Sequence, residues 1–438
     1  MSSSVVRDRA RAALEQARGK QDRLAQIDPF LIDISLHENP VGSRVGQTLE
    51  DKLEILPLLR DFGFRNIALG RLNQAMPDVP DIDDDFMSCL QQIGTDLRGC
   101  YAFTSPGIID AQDIFRPDPS LQKLRNYGVP NTVLEIHVSP LGREGKYTLD
   151  ELRRSLAENV LWIMENVKGE AGASPRIFVN LVDGFDALME VPEDTFGILD
   201  QLVALPIEGI LMEDARGTYM PFQVGACIEA VRAFVPPPMK LLVHAHGGAG
   251  FENASLIEAL LHGADGVWGG FSRQDGASLG ELLANLARVG NVHVEQAYRL
   301  RRLLPLSATL QAFDDETTVP DDVPVLGHNA YRLVHGAYRQ REGRFMDLPP
   351  ERIGGRYRYR ISAVVSDAEA VRGRLAEVTG RMPEEFGDPV VESMIFLMRR
   401  ELRSGMRIDY DDPANLVPLY ERARDRMRRT YPQAVERT

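Results

Sequence analysis

The chain has 438 residues, which suits one large domain of roughly 250 residues with a smaller region attached. A hydrophobic share of 44% and a charged share of 26% are those of an ordinary globular protein and exclude a chain disordered throughout. The net charge is −14 and the acidic residues are dispersed, which excludes a protein whose work is to neutralise phosphate backbones; an anionic substrate would need local Arg, Lys or metal charge.

Cys89, Cys100 and Cys227 are far apart and form no CxxC pair, so neither a disulfide framework nor a thiolate zinc site is expected. The N-terminal stretch lacks the apolar core of a secretion signal, and no apolar run is long enough to span a bilayer. A cytoplasmic protein with no nucleic-acid and no membrane partner is the expectation.

In chain order, residues 5–18 carry Ala, Leu, Glu and Arg at helical spacing up to Gly19 and predict a short leading helix within an N-terminal segment 1–28. From residue 29 to residue 290 one unit recurs about eight times: a short apolar run, a loop, then an amphipathic stretch. The runs at 30–34, 66–69, 100–103, 133–138, 177–182, 209–212, 241–243 and 266–268 predict parallel strands covered on both faces. Thr48 with Asp51 and Thr148 with Glu151 have N-cap spacing, Gly63, Gly128 and Gly263 stand where helices should stop, and Pro57 predicts a kink. No GxGxxG turn follows the first strand, so this α/β pattern predicts a closed (β/α)8 TIM barrel and not an open doubly wound sheet. Residues 291–438 predict a smaller, mainly helical linker and C-terminal region, with amphipathic stretches at 367–378 and 388–403.

In such barrels the reacting groups gather where strands run into the loops that follow them. The polar residues at those places are Asp33, His37 and Glu38 after the first strand, Glu213 and Asp214 at the sixth, and His244 and His246 at the seventh. Strand alternation turns His244 and His246 the same way, so their imidazoles are candidates to share one divalent ion, with Glu38 as the anionic donor such an ion wants. The plainer reading of each is a histidine bonded to a loop carbonyl and a carboxylate in a surface ion pair. Asp33 lies inside its strand and is expected to orient a neighbour by hydrogen bonding. Arg44, Arg71 and Arg216 each follow a strand end and are candidates to face an anionic substrate.

Taken in order, these residues resemble the metallolyase barrel family of the isopropylmalate, homocitrate and citramalate synthases and hydroxymethylglutaryl-CoA lyase, over residues 29 to 355. Asp33-Ile34-Ser35-Leu36-His37-Glu38-Asn39 stands for the family's Asp-x-Thr-Leu-Arg-Asp-Gly, followed by Thr48-Leu49-Glu50-Asp51-Lys52-Leu53 at the first helix. Asp214-Ala215-Arg216-Gly217 with Pro221 is similar to the family's Asp-Thr-x-Gly and Pro, and His244-Ala245-His246 to its metal-binding pair. The segment Pro324-Val325-Leu326-Gly327-His328-Asn329-Ala330-Tyr331, with Gly336 and Pro350-Glu351-Arg352-Ile353-Gly354, resembles the linker of the alkylmalate synthases. Gly269-Gly270-Phe271-Ser272 lacks the catalytic Cys of the lyase branch, so the synthase branch is closer.

The resemblance implies a divalent metal (Zn, Mn or Mg) on His244, His246 and Glu38, with Glu281 or Gly280 at the position of the family's Asn ligand. It implies a Claisen- or aldol-type condensation of an acyl-CoA, or another enolate donor, with a 2-oxo acid, and a homodimer. The departures are specific. His37 stands where the family has an enolate-stabilising Arg, the acidic residue ending strand two is replaced near Ala68 or Gly70, and the linker His that helps activate the acyl-CoA methyl group falls on Tyr338, with His335 nearby. His37 is then expected to donate to a substrate oxygen, and Tyr338 or His335 to stand near proton transfer; a tyrosine, with an ordinary pKa of about 10, serves better as acid than as base. These exchanges leave two alternatives open, a CoA-independent lyase acting on a 2-hydroxy acid and a non-catalytic barrel scaffold.

Overall fold

A computed structural model describes residues 3–37, 43–73, 81–110, 112–271, 276–334 and 348–430. Eight strands form where the apolar runs predict them: β1 (Phe30–Asp33), β2 (Ile67–Arg71), β3 (Cys100–Thr104), β4 (Asn131–Ile136), β5 (Ile177–Leu181), β6 (Gly209–Asp214), β7 (Lys240–Ala245) and β8 (Gly266–Gly269). They pair in parallel in the order β1-β8-β7-β6-β5-β4-β3-β2 and close on themselves, with helices following the strands. This is a TIM barrel.

The runs are apolar throughout because both faces are covered. One set of alternate residues, including Ile32, Tyr101, Phe103, Val133, Phe178, Leu211, Leu242 and Trp268, fills the barrel interior. The set between them, such as Leu31, Val179, Ile210 and Val243, is buried on the outer face. A repeat of two carries the inward set upward from Phe178 to Asn180, from Leu211 to Glu213 and from Leu242 to His244. The wall therefore turns from apolar to polar toward the C-terminal ends of the strands.

Thr48 and Asp51 form the expected capping box on helix Leu49–Phe62, and Thr148 and Glu151 form the one on helix Leu149–Asn166. Gly63 and Gly128 are C-caps, while the helix before Gly263 ends on His262. The first of these helices runs on through Pro57. The leading helix is longer than expected, Ser3–Gln26, and does not stop at Gly19. A glycine inside a helix costs only about 1 kcal/mol, and the turns beyond it are anchored: Lys20 pairs with Glu258 at 3.4 Å and Arg23 donates to the Leu261 carbonyl at 3.3 Å.

Two compact units divide at Val319/Pro320, so residues 291–319 go with the barrel and not with the C-terminal region. The reason is hydrogen bonding: Gln47 donates to Asp314 at 2.6 Å, and the Arg299 N–H to the Phe62 carbonyl at 2.8 Å. In the second unit, helices Ala368–Thr379, Asp388–Arg403 and Pro413–Thr430 close around Val371, Leu375, Val391, Met394, Met398, Leu416 and Leu419. No helix among the described residues is long and apolar enough to cross a membrane.

One ion pair joins the helices that follow β1 and β2. Lys52, on the first barrel helix, is fully buried, pairs with Asp83 at 2.9 Å and donates to the Leu36 carbonyl. Lys52→Met would leave a carboxylate buried without its cation, so the variant should lose about 3–5 kcal/mol in urea unfolding. The double variant Lys52→Met/Asp83→Leu should recover most of that loss, and a single variant as stable as wild type would show the pair to be inert.

Candidate active site

The β6–β7 register sets Glu213 directly opposite His244, and His246 follows two residues beyond, on the same inner face. His244 is fully buried, its Nδ1 lies 2.9 Å from the Trp268 carbonyl, and its ring is 4.6 Å from the indole. A carbonyl only accepts, so Nδ1 carries the proton and Nε2 the lone pair, the tautomer of a metal-binding imidazole braced by a backbone acceptor. Burial, and then the neighbouring His246, push the His244 pKa well below the ordinary imidazole value, so the ring is neutral at pH 7.

The two imidazole centroids are 4.6 Å apart with planes at 83°. His246 Nε2 is 3.1 Å from Glu213 Oε1, and the other carboxylate oxygen accepts from Asn180 Nδ2 at 2.8 Å. Asn180 Oδ1 and Trp268 Nε1, both buried, have no hydrogen-bond partner among the described residues, as befits a cage whose remaining polar contacts come from a ligand. Two imidazoles and a carboxylate are the donors a divalent ion of the zinc or manganese kind takes. No group of three or more His, Cys, Asp or Glu side chains among the described residues could hold a metal ion, so the His244 and His246 pair would need a ligand from outside them, for which Glu38 is the expected residue.

His37 lies against Phe103, centroids 4.6 Å apart, and its pKa is lowered to about 3 by burial first and then by Arg71, Lys52 and His246. It is therefore neutral and has one N–H to donate. Behind it, the Asp83 carboxylate receives the Arg71 N–H at 2.8 Å and fills the place of a side chain on Gly70, whose φ is +151° and where a Cβ would lie 2.3 Å from Asp83 Oδ2. An acid thus does stand at the end of β2, delivered by helix Ile82–Gln92 and not by the strand.

Other expected site residues fall elsewhere. Asp33 points outward and accepts from the Ser35 N–H and Oγ, each at 3.0 Å, while Ser35 Oγ accepts from the Phe271 N–H at 2.8 Å. Glu281 sits in the first turn of helix Leu279–Arg288 and accepts from Asn253 at 2.8 Å, bracing one helix against the next. Among the described residues after β8, Gly276 meets the histidines: it bridges to His246, and a Cβ there would lie 3.3 Å from His244 Nε2. Arg44 is exposed and held through its backbone N–H by Asp315, and Arg216 pairs with Asp186 at 2.7 Å. Asp214 turns into its own loop and accepts the Tyr219 N–H at 3.1 Å. Glu38, His335 and Tyr338 lie outside the described residues.

Sequence reasoning named Glu213 only as a polar strand end and passed over Asn180, Lys52 and Asp83. The signal for the first two was available, since each is two residues beyond an inward core residue. At the β3–β4 side of the same rim is a second polar group, around a cavity of about 540 Å³ that includes Asn73, Arg116, Glu135, His137, Lys146 and Tyr147. There Asn73 donates to Glu135 at 2.7 Å, and burial lowers the pKa of both His137 and Lys146.

No family model matches the chain. Over 355 residues it is 21% identical to an (R)-citramalate synthase of Aquifex aeolicus, covering 78% of this chain and 64% of that protein. In sequence the chain is thus similar to an alkylmalate synthase. The barrel also superimposes on solved lyases: a hydroxymethylglutaryl-CoA (HMG-CoA) lyase of Acinetobacter baumannii, in complex with coenzyme A and 3-methylmalate (TM-score 0.53, 15% identity, 69% of this chain and 94% of that one). The HMG-CoA lyase of Bacillus subtilis matches as well (TM-score 0.53, 16% identity, 68% and 96%). At such identities these two likenesses establish the fold.

Burial pushes the Asp33 carboxyl up from 3.8 to about 7, against the two bonds from Ser35 that lower it. The folded state then keeps a proton that the unfolded state has lost, so this group's contribution to stability is full below about pH 4 and is lost as pH rises to 7. Asp33→Asn should flatten the fall in unfolding free energy between those values, as read from denaturant titrations at pH 4.5 and 7.5. An unchanged slope would mean the carboxyl is already ionised at pH 4.5.

Proposed function

We propose that this protein is a divalent-metal-dependent enzyme that forms carbon–carbon bonds, condensing an acyl-CoA or another enolate donor with a 2-oxo acid. The observation that carries the reading is the His244 and His246 pair, two touching imidazoles at the open end of the barrel, the first of them neutral and in the ligating tautomer. The sequence likeness to a citramalate synthase supports the same reaction class.

When bound, the metal would act as a Lewis acid on the keto group of the 2-oxo acid. His244 and His246 would hold it, with Glu38 a further candidate from the first loop. His37 donates its one N–H to a substrate oxygen; being neutral, it lacks the fixed charge of an Arg, and the nearby cations Lys52 and Arg71 make up part of the missing field. Tyr338 and His335 are candidates for moving the proton, and Arg44 for meeting a carboxylate. The cavity between Arg116, His137 and Lys146 is a described space for the donor. Assembly as a homodimer belongs with this reading.

A second reading is favoured by His37 itself. Loss of the enolate-stabilising Arg suits a lyase that cleaves a 2-hydroxy acid without CoA. Thiol release from acetyl-CoA over a panel of 2-oxo acids tests the first reading, and 2-oxo acid release from 2-hydroxy acids tests the second. In either case His244→Ala should lose bound metal, seen by elemental analysis, and lower kcat/KM by at least about 1000-fold, or roughly 4 kcal/mol. A wild-type protein that neither retains added Zn, Mn or Mg nor turns over any substrate would leave a non-catalytic scaffold.

A further inference from the structure

The repeat of two that brings Asn180, Glu213 and His244 to the mouth also runs up β4. Val133 faces the interior, Glu135 follows in register with Asn180, and His137 stands just past the strand. Glu135 and His137 line the cavity of about 540 Å³ together with Arg116 and with Lys146 and Tyr147, which lie shortly before helix Leu149–Asn166. Lysine is rare in this chain, with six residues, and the other one at the rim, Lys52, is buried against Asp83. The Lys146 amine instead meets an imidazole: its Nζ lies 2.5 Å from His137 Nε2.

Burial holds the Lys146 pKa below its ordinary value, against the pull of Asp183 and Glu135, and burial followed by Lys146 itself lowers that of His137. More of the amine is therefore free to attack a carbonyl than on an open surface. Tyr147 is pushed up to about 12, chiefly by burial, and so stays protonated at pH 7; its oxygen accepts the His137 N–H at 2.7 Å, which leaves its own proton to donate. Arg116 pairs with Asp110 through Nε at 2.9 Å, and its terminal nitrogens remain for a carboxylate.

We infer that Lys146 is an imine-forming lysine and that this cavity takes an enolisable 2-oxo acid on it. Its purpose rests on the carbon–carbon reading above, of which it names the enolate donor. The Lys146 lone pair forms a bond to the keto carbon while the C=O π bond breaks, and the oxygen takes the proton of Tyr147. His137 receives a proton from the nitrogen; the hydroxyl leaves as water on that proton, and the remaining N–H proton restores Tyr147. Amine and ketone thus become imine and water with no change of oxidation state. An imine acidifies the neighbouring C–H bond, so loss of that proton gives an enolate equivalent without a thioester. The plainer reading is a solvated lysine that only orients His137.

The test is reductive trapping on the full chain with pyruvate and sodium cyanoborohydride, read by intact mass and peptide mapping. A single reduced pyruvate adduct is expected, on Lys146. Lys146→Arg keeps the charge and should lose the adduct, while Tyr147→Phe should form it about 100-fold more slowly. Far-ultraviolet circular dichroism checks that each variant is folded. No adduct, one spread over exposed lysines such as Lys20 and Lys168, or one that persists in Lys146→Arg overturns the inference and leaves the metal-dependent reading standing. If Lys146 is trapped but the wild type neither retains metal nor condenses any 2-oxo acid, the imine stands and it is that reading which fails.

Discussion

The two-residue repeat of side chains along a closed parallel barrel is the constraint on which the site depends. Each strand that sends Phe178, Leu211 or Leu242 into the interior must send the residue two positions on into the same cylinder, nearer its open end. Placing Asn180, Glu213 and His244 there needs no loop to fold in a special way. Neighbouring strands are joined by ladder hydrogen bonds, so the register of β6 against β7 fixes Glu213 beside the histidines as firmly as the core itself is fixed. A site built this way is preorganised by the same packing that stabilises the domain.

Protonation of the rim is set by a second feature, the burial of its imidazoles among cations. His37 is flanked by Lys52 and Arg71, and His244 is sealed behind Trp268 with His246 for a neighbour. Each of those surroundings disfavours an added proton, so lone pairs stay available at neutral pH. Lys52 is not exposed to substrate; its partner Asp83 keeps a buried ammonium tolerable in the interior. Through the Lys52 bond to the Leu36 carbonyl, the pair links the loop that carries His37 to helix Ile82–Gln92.

Much of this was legible in the sequence. Eight apolar runs at even intervals gave the barrel, Thr48 and Thr148 marked helix starts through their partners three residues on, and the spacing of His244 and His246 placed both on one face. What escaped was set by contacts between segments distant in the chain. Gly19 reads as a helix stop unless Lys20 and Arg23 are known to reach a helix some 238 residues away. The tie between Gln47 and Asp314, which draws residues 291–319 onto the barrel, has no local sign. Glu281 was reached by counting along the chain, and its bond to Asn253 on the preceding helix has no local sign. Glu213 was legible as a polar strand end, but its contact with His246 follows from the pairing of β6 with β7, which no local pattern shows.

The acid beside Gly70 illustrates how a barrel rim can be rebuilt. Because the carboxylate of Asp83 arrives from the start of helix Ile82–Gln92, over a residue without a side chain, its place is set by that helix and not by the pitch of the strand. Moving that charge relative to His37 would also move the partner of the buried Lys52, so the rim at this point cannot be reshaped without a cost to the interior.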